Sequence, residues 1–161
     1  MTQLPPPIPK AGNTAPDFSL ASTSGDTVTL SAFRNERNVL LAFFPLAFTS
    51  TCTEELCSFS EDFDQFTGKD VEVLPISVDA IPSLKAYKNA HSLKVDLLSD
   101  FKRAASRAYG VLNEVKFYSN RSYFLVDKAG VIRWAYVEDH NGLHRTTADI
   151  MEPIDKLTGE P

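Results

Sequence analysis

The run NVLLAFFP, Asn38 to Pro45, constrains this chain more than any other stretch. Its apolar residues are continuous instead of alternating, and proline ends it, which is the pattern of a strand buried on both faces. A strand of that kind sits at the centre of a sheet covered by helices. The expected fold class is therefore α/β, with a mixed central sheet flanked by helices.

The other segments supply the parts of such a fold. APDFSLASTSGDTVTLSAF reads as two short strands around a Ser-Gly-Asp turn, an amino-terminal β-hairpin. Cys52, Leu56, Phe59, Phe63 and Phe66 recur at steps of three and four, which predicts one helix of about four turns. Thr51 with Glu54 forms a capping-box pattern at its start, and Ser50 is an alternative cap. VEVLPISVD is the next strand, and PSLKAYKNAHSL is a helix with Pro82 near its first turn. DFKRAASRAYG is a short helix closed by Gly110, and SYFLVDKAGVIRWAYV is a hairpin that turns at Asp127-Lys128-Ala129-Gly130. TTADIMEPIDKL is a last amphipathic helix in which Pro153 predicts a break or kink.

At 161 residues the chain has room for one domain, assigned to 10–161, with a proline-rich tail over 1–9. Eleven Phe provide much of the core material. A net charge of −5 offers no broad footprint for nucleic acid or for an acidic membrane surface, so neither is expected as a partner. The start MTQLPPPIPK lacks the basic and apolar regions of a signal peptide, and a cytoplasmic, reducing setting is the expectation. Two cysteines are too few for a disulfide framework. Chemistry is the better reason for them.

Cys52 is placed for chemistry. It lies where the buried run gives way to a helix, in a first turn whose unpaired N–H groups and positive dipole end suit an anion. The thiolate is the nucleophile of a cysteine, and a free thiol is only a few per cent ionised at neutral pH. The dipole contributes roughly 0.3–2 kcal/mol. A reactive cysteine here therefore also requires hydrogen bonds and a cation.

These residues resemble a family. Pro45, Thr49 and Cys52 match the P-x-x-x-T-x-x-C motif of peroxiredoxins, and Glu55 matches the glutamate that often follows the reactive cysteine. APDFSL with TVTLSAF resembles the family's amino-terminal hairpin, and RSYFLVDKAGVIRWAYV its arginine-bearing strand and closing hairpin. LLAFFPLAFTSTC and LLSDFKRAASRAYGVLNE look most like the alkyl hydroperoxide reductase E type. The cysteine pair looks like the Q type, also called bacterioferritin comigratory protein. The resemblance implies a thioredoxin-like fold and a cofactor-free, thiol-dependent peroxidase acting on hydrogen peroxide or small organic hydroperoxides. Cys52 would be the peroxidatic nucleophile, passing through a sulfenic acid. Arg121 would hydrogen-bond thiolate and peroxide, Thr49 would offer its hydroxyl, Pro45 would shape and shield the loop, and Glu55 would support. Electrons would come from a thioredoxin-like protein or a low-molecular-weight thiol, and a homodimer is the assembly implied.

Cys57, five residues on, falls on the more polar side of the helix with Ser60, Glu61 and Asp64. Beside the resemblance it reads as a resolving thiol that closes an intrachain disulfide with Cys52. Residues five apart in an ideal helix lie roughly 8.7 Å apart at Cα, and disulfides rarely tolerate more than about 7 Å, so the first turns would have to unwind. An idle Cys57 would make this a one-cysteine peroxidase recycled by an external thiol. A redox sensor or binding protein, signalling through Cys52 oxidation, is the rival from another class. His91, His140 and His144 make no convincing site, and the absence of C-x-x-C argues against both zinc and a dithiol oxidoreductase. No metal or cofactor site is assigned, and Trp134 and Tyr136 read as hairpin core or surface.

Overall fold

The computed structural model describes residues 7–159. In chain order its elements are β1 (Ser19–Ser22), β2 (Thr27–Thr29), a 3-10 turn (Leu30–Phe33), β3 (Asn38–Phe43), α1 (Ser50–Glu61), α2 (Phe63–Gly68), β4 (Val71–Ser77) and α3 (Ile81–Ala90). They continue with β5 (Leu98–Ser99), α4 (Ala104–Ala108), β6 (Leu112–Asn113), β7 (Tyr118–Ser119), β8 (Ser122–Val126), β9 (Ile132–Val137) and α5 (Thr147–Thr158). Most of the proline-rich tail, residues 1–6, lies outside the described residues.

Seven strands form one mixed sheet in the order β2-β1-β5-β4-β3-β8-β9, and β6 pairs with β7 apart from it. This is the thioredoxin-like α/β architecture that the resemblance implies. All six residues of β3 are buried. They alternate between two cores, because successive side chains of a strand point to opposite faces. Leu40 and Ala42 join Leu56, Phe59, Leu84 and Ile150, on the face covered by α1, α2, α3 and α5. Val39, Leu41 and Phe43 join Ala105, Tyr109, Phe18 and Leu30, on the face covered by α4, the 3-10 turn and the segment before β1. The position of β3 between a parallel β4 and an antiparallel β8 explains why its sequence does not alternate.

The amino-terminal hairpin pairs Ser19 with Thr29 and Leu20 with Val28, as its sequence predicts. The β8–β9 hairpin turns where expected: Gly130 N donates to Asp127 O at 2.9 Å. Gly130 has φ +82, in the left-handed region that favours glycine, and a Cβ there would meet Arg34 Nε at 2.8 Å, so that side chain would have to shift. None of the described helices is long and apolar enough to cross a membrane.

Three local expectations are corrected. The four-turn helix is two helices, broken at Asp62 (φ −97, ψ 14). The Asp62 carboxylate accepts Thr147 Oγ1 at 2.5 Å from the start of α5 and Gln65 Nε2 at 3.1 Å, a tertiary tie that helical periodicity does not register. The capping box at Thr51 is absent; α1 begins at Ser50 with Thr49 as its N-cap. Finally, α5 runs without a break through Pro153. Proline removes a single intrahelical bond, and the burial of Ile150 and Ile154 on either side holds the helix together.

Candidate active site

The end of β3 delivers the chain to a loop that the neighbouring strand shapes. Phe44 N donates to Ile76 O at 2.9 Å, Pro45 is buried, and Ala47 N donates to Asp79 Oδ2 at 2.8 Å. Asp79 is itself held by Ser77 Oγ at 2.7 Å. The loop closes with Thr49 Oγ1 donating to Leu46 O at 2.8 Å, which leaves that oxygen's lone pairs as acceptors on an exposed residue.

Thr53 N makes the first bond of α1, to Thr49 O at 2.9 Å. The N–H groups of Ser50, Thr51 and Cys52 therefore have no intrahelical acceptor. Cys52, in the third helical position, is 1% exposed and its thiol is free.

A cation meets it from across the sheet. Arg121, immediately before β8, is also 1% exposed, and its Nη2 lies 3.0 Å from Cys52 Sγ. Nη1 of the same guanidinium donates to Glu55 Oε1 at 2.9 Å. Asn141 anchors Arg121 a second way: its Oδ1 accepts Arg121 N at 2.8 Å and its carbonyl accepts Nη2 at 3.3 Å. Arg121 Nε is buried without a partner among the described residues.

Glu55, one turn after Cys52 on α1, is 1% exposed. Its second oxygen, Oε2, accepts from Tyr123 OH. Burial pushes the Glu55 carboxyl above its ordinary range, with Arg121 and Tyr123 pulling it back. Burial works against the Arg121 charge, and the Glu55 carboxylate and Cys52 outweigh it, so the guanidinium is held charged. The arrangement can present a sulfur nucleophile to one side of a fixed cation, next to N–H donors that have no intrahelical acceptor. That combination suits chemistry in which negative charge leaves sulfur and appears on a neighbouring atom.

Of the residues singled out from sequence, Arg121 contacts both Cys52 and Glu55, while Pro45 and Thr49 belong to the loop that leads into α1. Cys57 is half-buried, and α1 is intact between the two cysteines. The sequence reading missed Asn141, Tyr123, Tyr87 and Asp79. Tyr87, on α3, donates to Thr53 Oγ1 at 2.9 Å and burial pushes its hydroxyl up to about 12. For Tyr123 a signal existed: it follows Arg121 by two, and residues two apart on a strand share a face. No cluster of three or more metal-ligating side chains occurs among the described residues.

The sequence matches the AhpC/TSA family over residues 11–135. Alkyl hydroperoxide reductase E of Mycobacterium bovis is 44% identical over 126 residues, covering 77% of this chain and 82% of its own. The chloroplastic 2-Cys peroxiredoxin BAS1 of Hordeum vulgare is 30% identical over 160 residues, covering 93% and 76%. Among solved structures, reduced 2-Cys peroxiredoxin of Plasmodium vivax aligns with a TM-score of 0.86 at 29% identity, covering 94% of this chain and 83% of that one.

Proposed function

The chain belongs to the AhpC/TSA family of peroxiredoxins, thiol peroxidases, and from that premise we propose that Cys52 is its peroxidatic thiol. The observation that carries this reading is the 3.0 Å contact between Arg121 Nη2 and Cys52 Sγ, both groups buried at the open start of α1.

The Cys52 thiolate attacks the terminal oxygen of hydrogen peroxide or a small organic hydroperoxide. An S–O bond forms, the O–O bond breaks, and its electron pair leaves on the alkoxide or hydroxide, which takes a proton. Sulfur is oxidised by two electrons to the sulfenic acid. Arg121 and the first N–H groups of α1 stabilise the charge as it moves to oxygen, Thr49 Oγ1 accepts a hydrogen bond from the peroxide O–H, and Pro45 keeps water from the sulfur. Glu55 aims Arg121.

Cys57 then attacks the sulfenic sulfur, water leaves, and an intrachain disulfide forms. A thioredoxin-like dithiol, or two equivalents of a small thiol, reduces it in a cytoplasmic setting. Because α1 is intact and ideal geometry holds Cα atoms five residues apart at roughly 8.7 Å, the helix start must unwind first.

Intact-mass measurement under non-reducing conditions, after one equivalent of hydrogen peroxide, tests the assignment. Wild type is expected to lose two hydrogens, Cys57→Ser to gain one oxygen, and Cys52→Ser to keep its mass. One added oxygen in both wild type and Cys57→Ser would make this a one-cysteine enzyme recycled by an outside thiol. Unimpaired peroxide turnover by Cys52→Ser would sink the reading altogether. Repeated turnover with an added reductant distinguishes the enzyme from a sensor, which would stop after one equivalent.

Unwinding carries its own prediction. Tyr87 OH bonds Thr53, in the turn that must open. Losing one hydrogen bond of about 0.5–1.5 kcal/mol, Tyr87→Phe should speed disulfide formation by up to about tenfold and leave the sulfenic acid step unchanged. Stopped-flow fluorescence, which follows the two steps separately, checks it.

A further inference from the structure

Behind Glu55 lies a residue that the proposed chemistry leaves unused. Tyr123, on β8, is fully buried. Its hydroxyl donates to Glu55 Oε2 and accepts Arg145 N at 2.9 Å. Arg145 continues outward: its Nε donates to Glu138 Oε2 at 3.0 Å and its guanidinium lies 4.5 Å from the Tyr136 ring centroid. Glu138 returns to the start, its N donating to Arg121 O at 3.0 Å. The Tyr123 ring is stacked on Trp134 at 6.1 Å, so the phenol has little freedom to turn away.

We propose that Tyr123 is a positioning residue of the peroxidase reaction, acting on Arg121 through Glu55. A carboxylate held at one oxygen alone can rotate. Glu55 is held at both, by Arg121 Nη1 and by Tyr123 OH, and this fixes the plane in which the guanidinium fork lies. Nη2 is then aimed at Cys52 Sγ rather than free to swing. The proposal rests on the reading of Cys52 and Arg121 given above, and it adds a residue that touches neither sulfur nor peroxide.

The groups facing Glu55 are Arg121 from just before β8, Tyr123 from β8, Tyr87 from α3, His144 from the segment before α5, and Cys52 through the shared guanidinium. Those facing Tyr123 are Glu55, Glu138, Arg121 and the Arg145 backbone. Tyr123→Phe removes one of the interactions that hold the Glu55 carboxyl down, so this carboxyl should protonate at higher pH.

The test is the second-order rate with hydrogen peroxide as a function of pH, for wild type, Tyr123→Phe, Glu55→Gln and the double variant. The expected result is a loss of about tenfold in Tyr123→Phe, an acid limb moved to higher pH, and little further loss when Tyr123→Phe is added to Glu55→Gln. A wild-type rate and limb, or an equal loss in the Glu55→Gln background, would overturn the proposal. Should Tyr123→Phe not fold, 3-fluorotyrosine at this position keeps the hydroxyl and makes it a stronger donor. The limb must then move to lower pH, and a fixed limb overturns the proposal. Cys52→Ser in the same series separates the two readings: if it is inactive while Tyr123→Phe behaves as wild type, only the role of Tyr123 falls.

Discussion

Arg121→Lys is expected to slow the reaction with hydrogen peroxide on the order of 10²- to 10³-fold while the protein stays folded. One guanidinium serves two partners, with Nη1 at 2.9 Å from Glu55 and Nη2 at 3.0 Å from Cys52. Lysine keeps the charge but is a single point on a flexible stem, and it cannot hold both geometries at once. The magnitude follows from loss of one preorganised donor at a site of developing negative charge. Stopped-flow measurement of the second-order rate decides it. A rate equal to wild type would remove Arg121 from the site, since a charge that merely balanced Glu55 would be replaced by lysine without kinetic effect.

The second large effect is on stability. Glu55→Ala leaves the Arg121 guanidinium buried without its anion and takes the acceptor from Tyr123 OH. Breaking a buried pair from one side costs about 3–5 kcal/mol. For a chain of this length that lowers the thermal midpoint by roughly ten degrees. Glu55→Gln, which keeps an oxygen acceptor, should lose less. The pH dependence separates charge from shape. Burial raises the folded Glu55 carboxyl above its unfolded value, so the native state holds the proton more tightly. Its contribution is fully present below the unfolded value and is lost as pH rises through the folded one. The stability advantage of wild type over Glu55→Gln should therefore shrink as pH rises across that window; an advantage that grows instead would mean the folded carboxyl titrates low.

How far the sequence reached depends on the range of each interaction. The N-cap of α1 moved from Thr51 to Thr49 because Asp79, 32 positions from Ala47, holds the preceding loop. The helix break at Asp62 comes from Thr147, 85 positions away. Neither could be heard in a window of one or two turns. Asn141 was passed over for the same reason: an asparagine in a loop has no pattern, and its role exists only because the loop folds back on Arg121.

The residues of NVLLAFFP, the stripe from Cys52 to Phe59 and the hairpin around Gly130 determined the central strand, the helix that follows it and the turn, because burial periodicity and φ preferences act on near neighbours. The motif Pro45, Thr49, Cys52 singled out the sulfur through its resemblance to the peroxiredoxin signature. Only the tertiary structure decided what surrounds that sulfur. Pairing of β3 with β8 brings Arg121 across 69 positions to Cys52, and Tyr123 across 68 positions to Glu55. A buried charge must find its partner in space, and distance along the chain does not say where that partner is.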